Sequence, residues 1–132
     1  KRLVEVTYEC LMIGIEQARP GARLGDIGAA IQHHAERNRY GVVREFCGHG
    51  LGRLFHDAPE VVHAARAGTG PELRPGMFFT IEPMINLGKP PVKLVLRTSP
   101  HGPIITDAFK EALDGKPVAM WWAFAAPMSA RT

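Results

Sequence analysis

Apolar side chains recur every three or four residues in two stretches near the start of the chain. This is the spacing of helices that bury one face. The first stretch predicts a helix from residue 2 to residue 18, which Pro20-Gly21 ends. Its apolar positions are Val4, Tyr8, Leu11 and Ile15. The second stretch predicts a helix from Leu24 to Arg39, with Asp26 in the first turn, where a carboxylate suits the helix dipole.

The pattern then changes to that of strands and turns. A strand is predicted from Val42 to Cys47. The glycine- and proline-rich residues 64–76 predict a surface loop, which a Pro75-Gly76 turn closes. A further strand is predicted directly after this loop.

That further strand is predicted from Met77 to Glu82. Alternation places Phe78, Thr80 and Glu82 on one face and Met77, Phe79 and Ile81 on the other. The pattern continues as a strand over residues 84–87, a turn over 88–91 and a returning strand over 92–96. Beyond it, one short helix is predicted over residues 106–113.

Composition places the chain among ordinary soluble globular proteins. It has 132 residues, enough for one domain with a core, and is 45% hydrophobic and 22% charged. The 16 basic and 13 acidic residues are scattered, so nucleic-acid binding is not predicted. Cys10 and Cys47 fit no disulfide framework and predict reduced thiols of a cytosolic protein. No signal peptide is visible, and the longest apolar run, residues 117–128, is too short to cross a bilayer.

The segment from Phe46 to His63, FCGHGLGRLFHDAPEVVH, carries the candidate chemistry. Glycines flank His49, so a ligand can approach its imidazole closely, and His56 follows seven residues later. Glu82 ends an apolar strand, where a carboxylate needs a cation, a hydrogen-bond donor or water. An imidazole and a carboxylate brought together are half of a metal site, and a structural salt bridge is the alternative.

Other candidate chemistry is weaker. Cys47 and His49 would share a strand face, but no third group to orient them is identifiable, so a cysteine protease is not predicted. The only serines, Ser99 and Ser129, lie near the end of the chain, which disfavours a serine hydrolase. The remaining histidines are predicted to be ordinary solvated residues; they are His33, His34, His63 and His101.

Two blocks of sequence resemble the bacterial type of methionine aminopeptidase, a metallopeptidase family with the pita-bread fold. They are CGHGLGRLFHDAPEVVH, residues 47–63, and LRPGMFFTIEPMINLGKP, residues 73–90. The resemblance implies an α+β fold in which two helices pack on a curved antiparallel sheet. It implies that His49 and Glu82 are metal ligands, that His56 hydrogen-bonds substrate and transition state, and that Phe55 lines the pocket for the methionine side chain.

The resemblance also implies cofactors and partners. The cofactors are two divalent metal ions, and mixed nitrogen and oxygen ligation does not distinguish cobalt, manganese, iron and zinc. The substrates are peptides or nascent chains that begin with methionine. Such substrates imply a cytoplasmic protein, and nascent chains imply association with the ribosome. A membrane partner is not implied.

The family's site uses five ligands, two aspartates, one histidine and two glutamates, and only His49 and Glu82 match here. The sequence motifs that resemble the family stop after Lys93. We therefore expect residues 1–93 to be part of a catalytic domain and residues 94–132 to be a divergent, loosely packed tail from a truncation or frameshift. The chain alone is expected to be inactive or weakly active. The alternatives are a proline-specific peptidase of the same fold and a non-catalytic module that keeps the scaffold.

Overall fold

The computed structural model of the chain describes residues 1–88 and the strand residues 98–99, 102–103, 118–120 and 123–125. Helix α1 runs Arg2–Gln17 and helix α2 runs Leu24–Arg37, so both predicted helices are confirmed. The two helices pack on each other. Neither these nor any other part of the described chain forms a helix with the length and apolar character needed to span a membrane.

The strands are short and pair antiparallel. They are β1 Tyr40–Val42, β2 Gly48–Gly50, β3 Asp57–Val61, β4 Phe79–Ile81, β5 Met84–Leu87, β6 Thr98–Ser99, β7 Gly102–Pro103, β8 Val118–Met120 and β9 Ala123–Ala125. One sheet has the order β1-β5-β8, a second has the order β3-β2-β4-β9, and β6 pairs with β7. Helix α1 packs against β4 and β5, while α2 packs against β1 and β3.

The core lies between the helices and the sheets. Of the apolar positions predicted for α1, Leu11 is buried, but Val4 and Tyr8 are 47% and 49% exposed, because the buried face of the helix runs through Val6 and Cys10 instead. The fully buried members of the core include Val6, Cys10, Leu24, Ile27, Ile31, Phe79, Ile81 and Ile85. The alternation predicted for β4 is confirmed, because Phe79 and Ile81 join this core while Glu82 lies on the opposite face. The core face of β4 therefore fixes which way the polar face points.

The strand predicted from Val42 to Cys47 is wrong. Strand β1 ends at Val42 and β2 begins at Gly48, with residues 43–47 outside both. The chain leaves one sheet and enters the other between them, and β1 pairs with β5 whereas β2 pairs with β3 and β4. Gly48 is needed at the entry, because a Cβ there would clash with the carbonyl oxygen of Thr80.

Strand β3 was not predicted, although it is the longest strand of its sheet in the described chain. Pro59 in its middle cannot donate a ladder hydrogen bond, which normally argues against a strand. The sheet order places β3 at an edge, beside β2 only, and an edge strand tolerates proline. The loop predicted over residues 64–76 is confirmed, and the Met77 N–H donates to the carbonyl of Arg74 at 3.3 Å across its closing turn.

The end of the chain differs in part from expectation. Strands β8 and β9 pair with β5 and β4, so the expectation of a loosely packed tail with at most one short helix is wrong for these two strands. Unpaired strand edges recruit further strands, and β4 and β5 offer such edges. The predicted strand over 92–96 and helix over 106–113 lie outside the described residues. The division between residues 93 and 94 remains a prediction.

Candidate functional site

His49 and Glu82 converge, as expected of two residues that the resemblance assigns to one metal site. His49 is the middle residue of β2, and Glu82 directly follows β4, the strand beside β2. Their side chains approach with His49 Nε2 3.4 Å from Glu82 Oε1, and they are only 12% and 26% exposed. Buried Gly48 and Gly50 flank the histidine, so no neighbouring side chain on β2 covers its imidazole.

The hydrogen bonds of His49 indicate which ring nitrogen faces the glutamate as an acceptor. His49 Nδ1 lies 2.9 Å from the carbonyl oxygen of Gly50, and a carbonyl can only accept, so Nδ1 carries a proton. In the neutral imidazole, the Nε2 lone pair then faces the carboxylate of Glu82. Two acceptors at this distance repel each other unless a proton or a metal ion lies between them.

This donor set fits a divalent metal ion. Metal-binding histidines usually donate their second ring N–H to a carbonyl or carboxylate, as Nδ1 of His49 does to Gly50. Imidazole nitrogen with carboxylate oxygen suits manganese, iron, cobalt and zinc. Within residues 1–88 and the described strand segments, no group of three or more His, Cys, Asp or Glu side chains could hold a metal. The described chain thus brings together two side chains of the kind that bind such an ion, His49 and Glu82.

Thr80 joins the two halves of the pair. The backbone N–H of His49 donates to Thr80 Oγ1 at 2.9 Å, and the Thr80 hydroxyl donates to Glu82 Oε1 at 2.5 Å. The threonine is 3% exposed. The alternation of residues along β4 predicts that Thr80 shares a face with Glu82. Its hydrogen bond to His49 on β2 depends on the pairing of the two strands, which the local sequence pattern does not predict.

His63 corrects an expectation, because it is buried and not on the surface. It is 1% exposed, and its Nε2 accepts the backbone N–H of Glu82 at 2.9 Å. Burial lowers the pKa of His63 to about 4. A signal was present: His63 stands two residues after buried Val61, which is the inward position if the β3 alternation continues.

The burial of His63 predicts acid destabilisation. The unfolded chain takes up a proton at this residue near pH 6.5, but the folded chain takes it up only near pH 4. The free energy of unfolding should therefore fall by up to about 3 kcal/mol as pH drops from 6.5 to 4, with no further loss below that from this group. Urea unfolding at several pH values, in chelator, measures this.

The control for that measurement is His63→Gln, whose amide can accept the Glu82 N–H but does not titrate. Its unfolding free energy should fall less steeply between pH 6.5 and pH 4, because the contribution of the buried His63 is then gone. Identical pH dependence for both proteins would show that His63 is already solvated in the folded state.

His56 and Phe55 stand beside the pair on its exposed side. The ring of His49 lies 4.3 Å from that of His56 and 5.3 Å from that of Phe55, measured between centroids. His56 therefore lies next to the imidazole of His49. Phe55 is 66% exposed, so it presents apolar surface beside His49. The roles of Phe55 and His56 toward a substrate remain predictions.

Two further predictions concern residues away from the pair. His34 is not simply solvated, because its Nε2 lies 2.7 Å from Glu9 Oε2 and so links α2 to α1. This hydrogen bond is the main cause that lowers the pKa of Glu9. His33 is exposed as expected, and His101 lies outside the described residues. Burial raises the pKa of the Cys47 thiol, which agrees with the prediction that it is not a nucleophile.

A family profile and the curated relatives of the chain indicate the same metallopeptidase family. The profile of metallopeptidase family M24 matches residues 1–107. A methionine aminopeptidase of Rickettsia prowazekii (strain Madrid E) is 60% identical over 88 residues, which are 67% of this chain and 34% of that protein. The chain therefore spans about a third of the length of this curated relative.

Solved structures agree with the fold. The crystal structure of methionine aminopeptidase from Rickettsia prowazekii matches with a TM-score of 0.81 and 44% identity, covering 96% of this chain and 48% of that chain. A recombinant prolidase from Thermococcus sibiricus matches with a TM-score of 0.63 and 21% identity, covering 96% and 27%, which shows a shared fold alone. The predicted α+β class, as part of a pita-bread fold, is confirmed.

Proposed function

The chain belongs to metallopeptidase family M24, and we propose that it carries the His49–Glu82 part of the metal centre of a methionine aminopeptidase. The observation that carries this proposal is the approach of His49 Nε2 to Glu82 Oε1, with the other ring nitrogen already bonded to a backbone carbonyl. The substrates would be peptides or nascent chains that begin with methionine, met in the cytoplasm and at the ribosome. The identity at 60% to a methionine aminopeptidase supports this substrate class.

Each residue of the site has a task in the proposal. A divalent metal ion, when bound, polarises the scissile carbonyl and lowers the pKa of a water molecule. His49 and Glu82 would hold that ion, with Glu82 fixed through its backbone N–H by His63. Phe55 would contact the methionine side chain. His56 would donate a hydrogen bond to the substrate oxygen as negative charge develops on it.

The His56 role gives a separate prediction, measured in the chimeric enzyme described below. His56→Ala should lower kcat by about a hundredfold to a thousandfold, the usual effect of removing one donor to a developing oxyanion. Metal content should not change, because His56 is not among the proposed ligands. Steady-state kinetics with a Met-Ala peptide and metal analysis of the same sample measure both. A loss of metal with the loss of activity would instead make His56 a ligand.

A chimera tests the proposal as a whole. The segment of the Rickettsia prowazekii methionine aminopeptidase that aligns with this chain would be replaced by the matching 88 residues. The expected result is chelator-sensitive release of methionine from a Met-Ala peptide. A chimera that folds and binds metal but releases no methionine would contradict the proposed function. Faster cleavage of peptides with proline in the second position would favour a proline-specific peptidase.

The second candidate is a non-catalytic module that keeps the scaffold. The observation that favours it is that the described residues contain no metal-binding group of three or more side chains. In this case the chimera would fold without activity, even though the isolated chain keeps the His49–Glu82 geometry. The chimera therefore separates the two candidates.

A further inference from the structure

Thr80 makes contacts that a merely structural threonine would not need. Its hydroxyl oxygen accepts a hydrogen bond from the backbone N–H of His49 on β2. Its hydroxyl proton points to the carboxylate of Glu82, two residues later in the sequence. It thereby touches the backbone of one proposed ligand and the side chain of the other.

The single proton of this hydroxyl has a definite destination. Two acceptors lie within reach, the carbonyl oxygen of His49 at 3.4 Å and Glu82 Oε1 at 2.5 Å. A hydrogen bond to a carboxylate is the stronger of the two and the closer one is favoured. The oxygen that receives it is the same Glu82 oxygen that faces His49 Nε2. The hydroxyl therefore holds the Glu82 side chain in one rotamer, by a bond to Oε1, the oxygen that would face the metal.

Burial makes this bond matter. Thr80 is 3% exposed, so water cannot readily take the place of its hydroxyl if that group is removed. The His49 N–H would lose its acceptor, and the Glu82 carboxylate would lose its donor. Both proposed ligands would then be free to move away from the geometry that one ion requires.

We propose that Thr80 is a positioning residue, whose hydroxyl holds His49 and Glu82 in register to bind one divalent metal ion. This rests on the proposed function, which supplies the ligand roles. Partners of metal ligands typically contribute 10-fold to 100-fold in metal affinity. Thr80 acts through the two ligands and does not itself touch the metal or the substrate.

The variants form two matched pairs. Thr80→Val keeps the shape of threonine without the hydroxyl. Thr80→Ser and Thr80→Ala both lack the methyl group and differ from each other by the hydroxyl alone. The control is Thr7→Val, because Thr7 is fully buried and its hydroxyl bonds the carbonyl of Leu3 at 2.8 Å within α1. That variant loses a buried hydroxyl without touching the site.

Two readouts are taken on the full 132-residue chain. Titration with cobalt(II), followed by visible absorption, should show about 10-fold to 100-fold weaker binding for Thr80→Val and Thr80→Ala. Thr80→Ser and Thr7→Val should bind as the unchanged chain does. Amide hydrogen exchange without metal should be roughly tenfold faster at His49 in the Val and Ala variants and unchanged in the other two.

The outcomes separate this proposal from the proposed function. Unchanged cobalt affinity and unchanged His49 exchange in the Val and Ala variants would overturn the role of Thr80, and so would an equal loss in Thr7→Val. If the unchanged chain takes up no cobalt, the metal site fails. The exchange of His49 then still decides whether Thr80 holds the pair: fast exchange in Ala with slow exchange in Ser supports it, and equal exchange refutes it.

Discussion

In the chimeric enzyme, His49→Ala and Glu82→Ala should each lower methionine release by about a thousandfold or more. Each change removes a proposed ligand, and metal activation contributes several kcal/mol to the transition state, where about 4 kcal/mol corresponds to a thousandfold in rate. The measurement is kcat/KM for a Met-Ala peptide, with the metal content of each variant determined in parallel. Both variants should lose metal as well as activity.

The matched controls are His33→Ala and Glu36→Ala, which remove the same side-chain types from the exposed face of α2. Both should keep activity within about twofold, as expected of surface changes away from the site. If His49→Ala kept its metal and most of its activity, the His49–Glu82 contact would be a structural salt bridge, and the metal site would lie elsewhere.

The isolated chain should release methionine at least about a thousandfold more slowly than the chimera. His49 and Glu82 leave most positions around an ion to water, and the described residues show no group that completes a site. Without full ligation, the several kcal/mol that metal ions supply to the transition state are lost. Release of methionine from a Met-Ala peptide by the purified chain, with and without chelator, measures this.

Brisk, chelator-sensitive release by the isolated chain would contradict that expectation. It would mean that residues beyond His49 and Glu82 complete a working site, and ligand variants would then identify them. The control is the Glu82→Ala chain, since any activity that survives this change comes from a contaminating peptidase.

The helices and the alternation of β4 were predictable because their signals are local, whereas the convergence of His49 and Glu82 was expected from the family resemblance. The helical spacing in α1 and α2 and the alternation through Thr80 and Glu82 are repeated over several residues, so each position supports the next. The motif around His49 is equally specific, because Gly48 allows close approach of β4 and Gly50 allows close approach of β3. Sequence and structure agree there.

The errors arose where pairing between distant segments decides the outcome. Residues 43–47 look like a strand, but the chain crosses between two sheets there. Pro59 argues against a strand until β3 is known to lie at an edge. The pairing of β8 and β9 with β5 and β4 joins residues more than thirty positions apart. Local periodicity contains none of this information.

His63 was missed for a related reason. A histidine at the end of an exposed strand is usually solvated, and its burial follows from the position of Glu82, whose N–H it accepts. Likewise, His34 looked solvated because its partner, Glu9, is 25 residues away on the other helix. Polar residues whose partners are distant in sequence are the ones that the pattern of a single chain misplaces.

The most direct test of the central claim is diffraction from crystals of the chain soaked in cobalt(II), with anomalous scattering recorded at the cobalt edge. We expect one strong peak within about 2.0–2.2 Å of both His49 Nε2 and an oxygen of Glu82, the distances of nitrogen and oxygen ligands to such ions. A crystal that shows no peak there at saturating cobalt, with Nε2 still in direct contact with the carboxylate, would contradict the account.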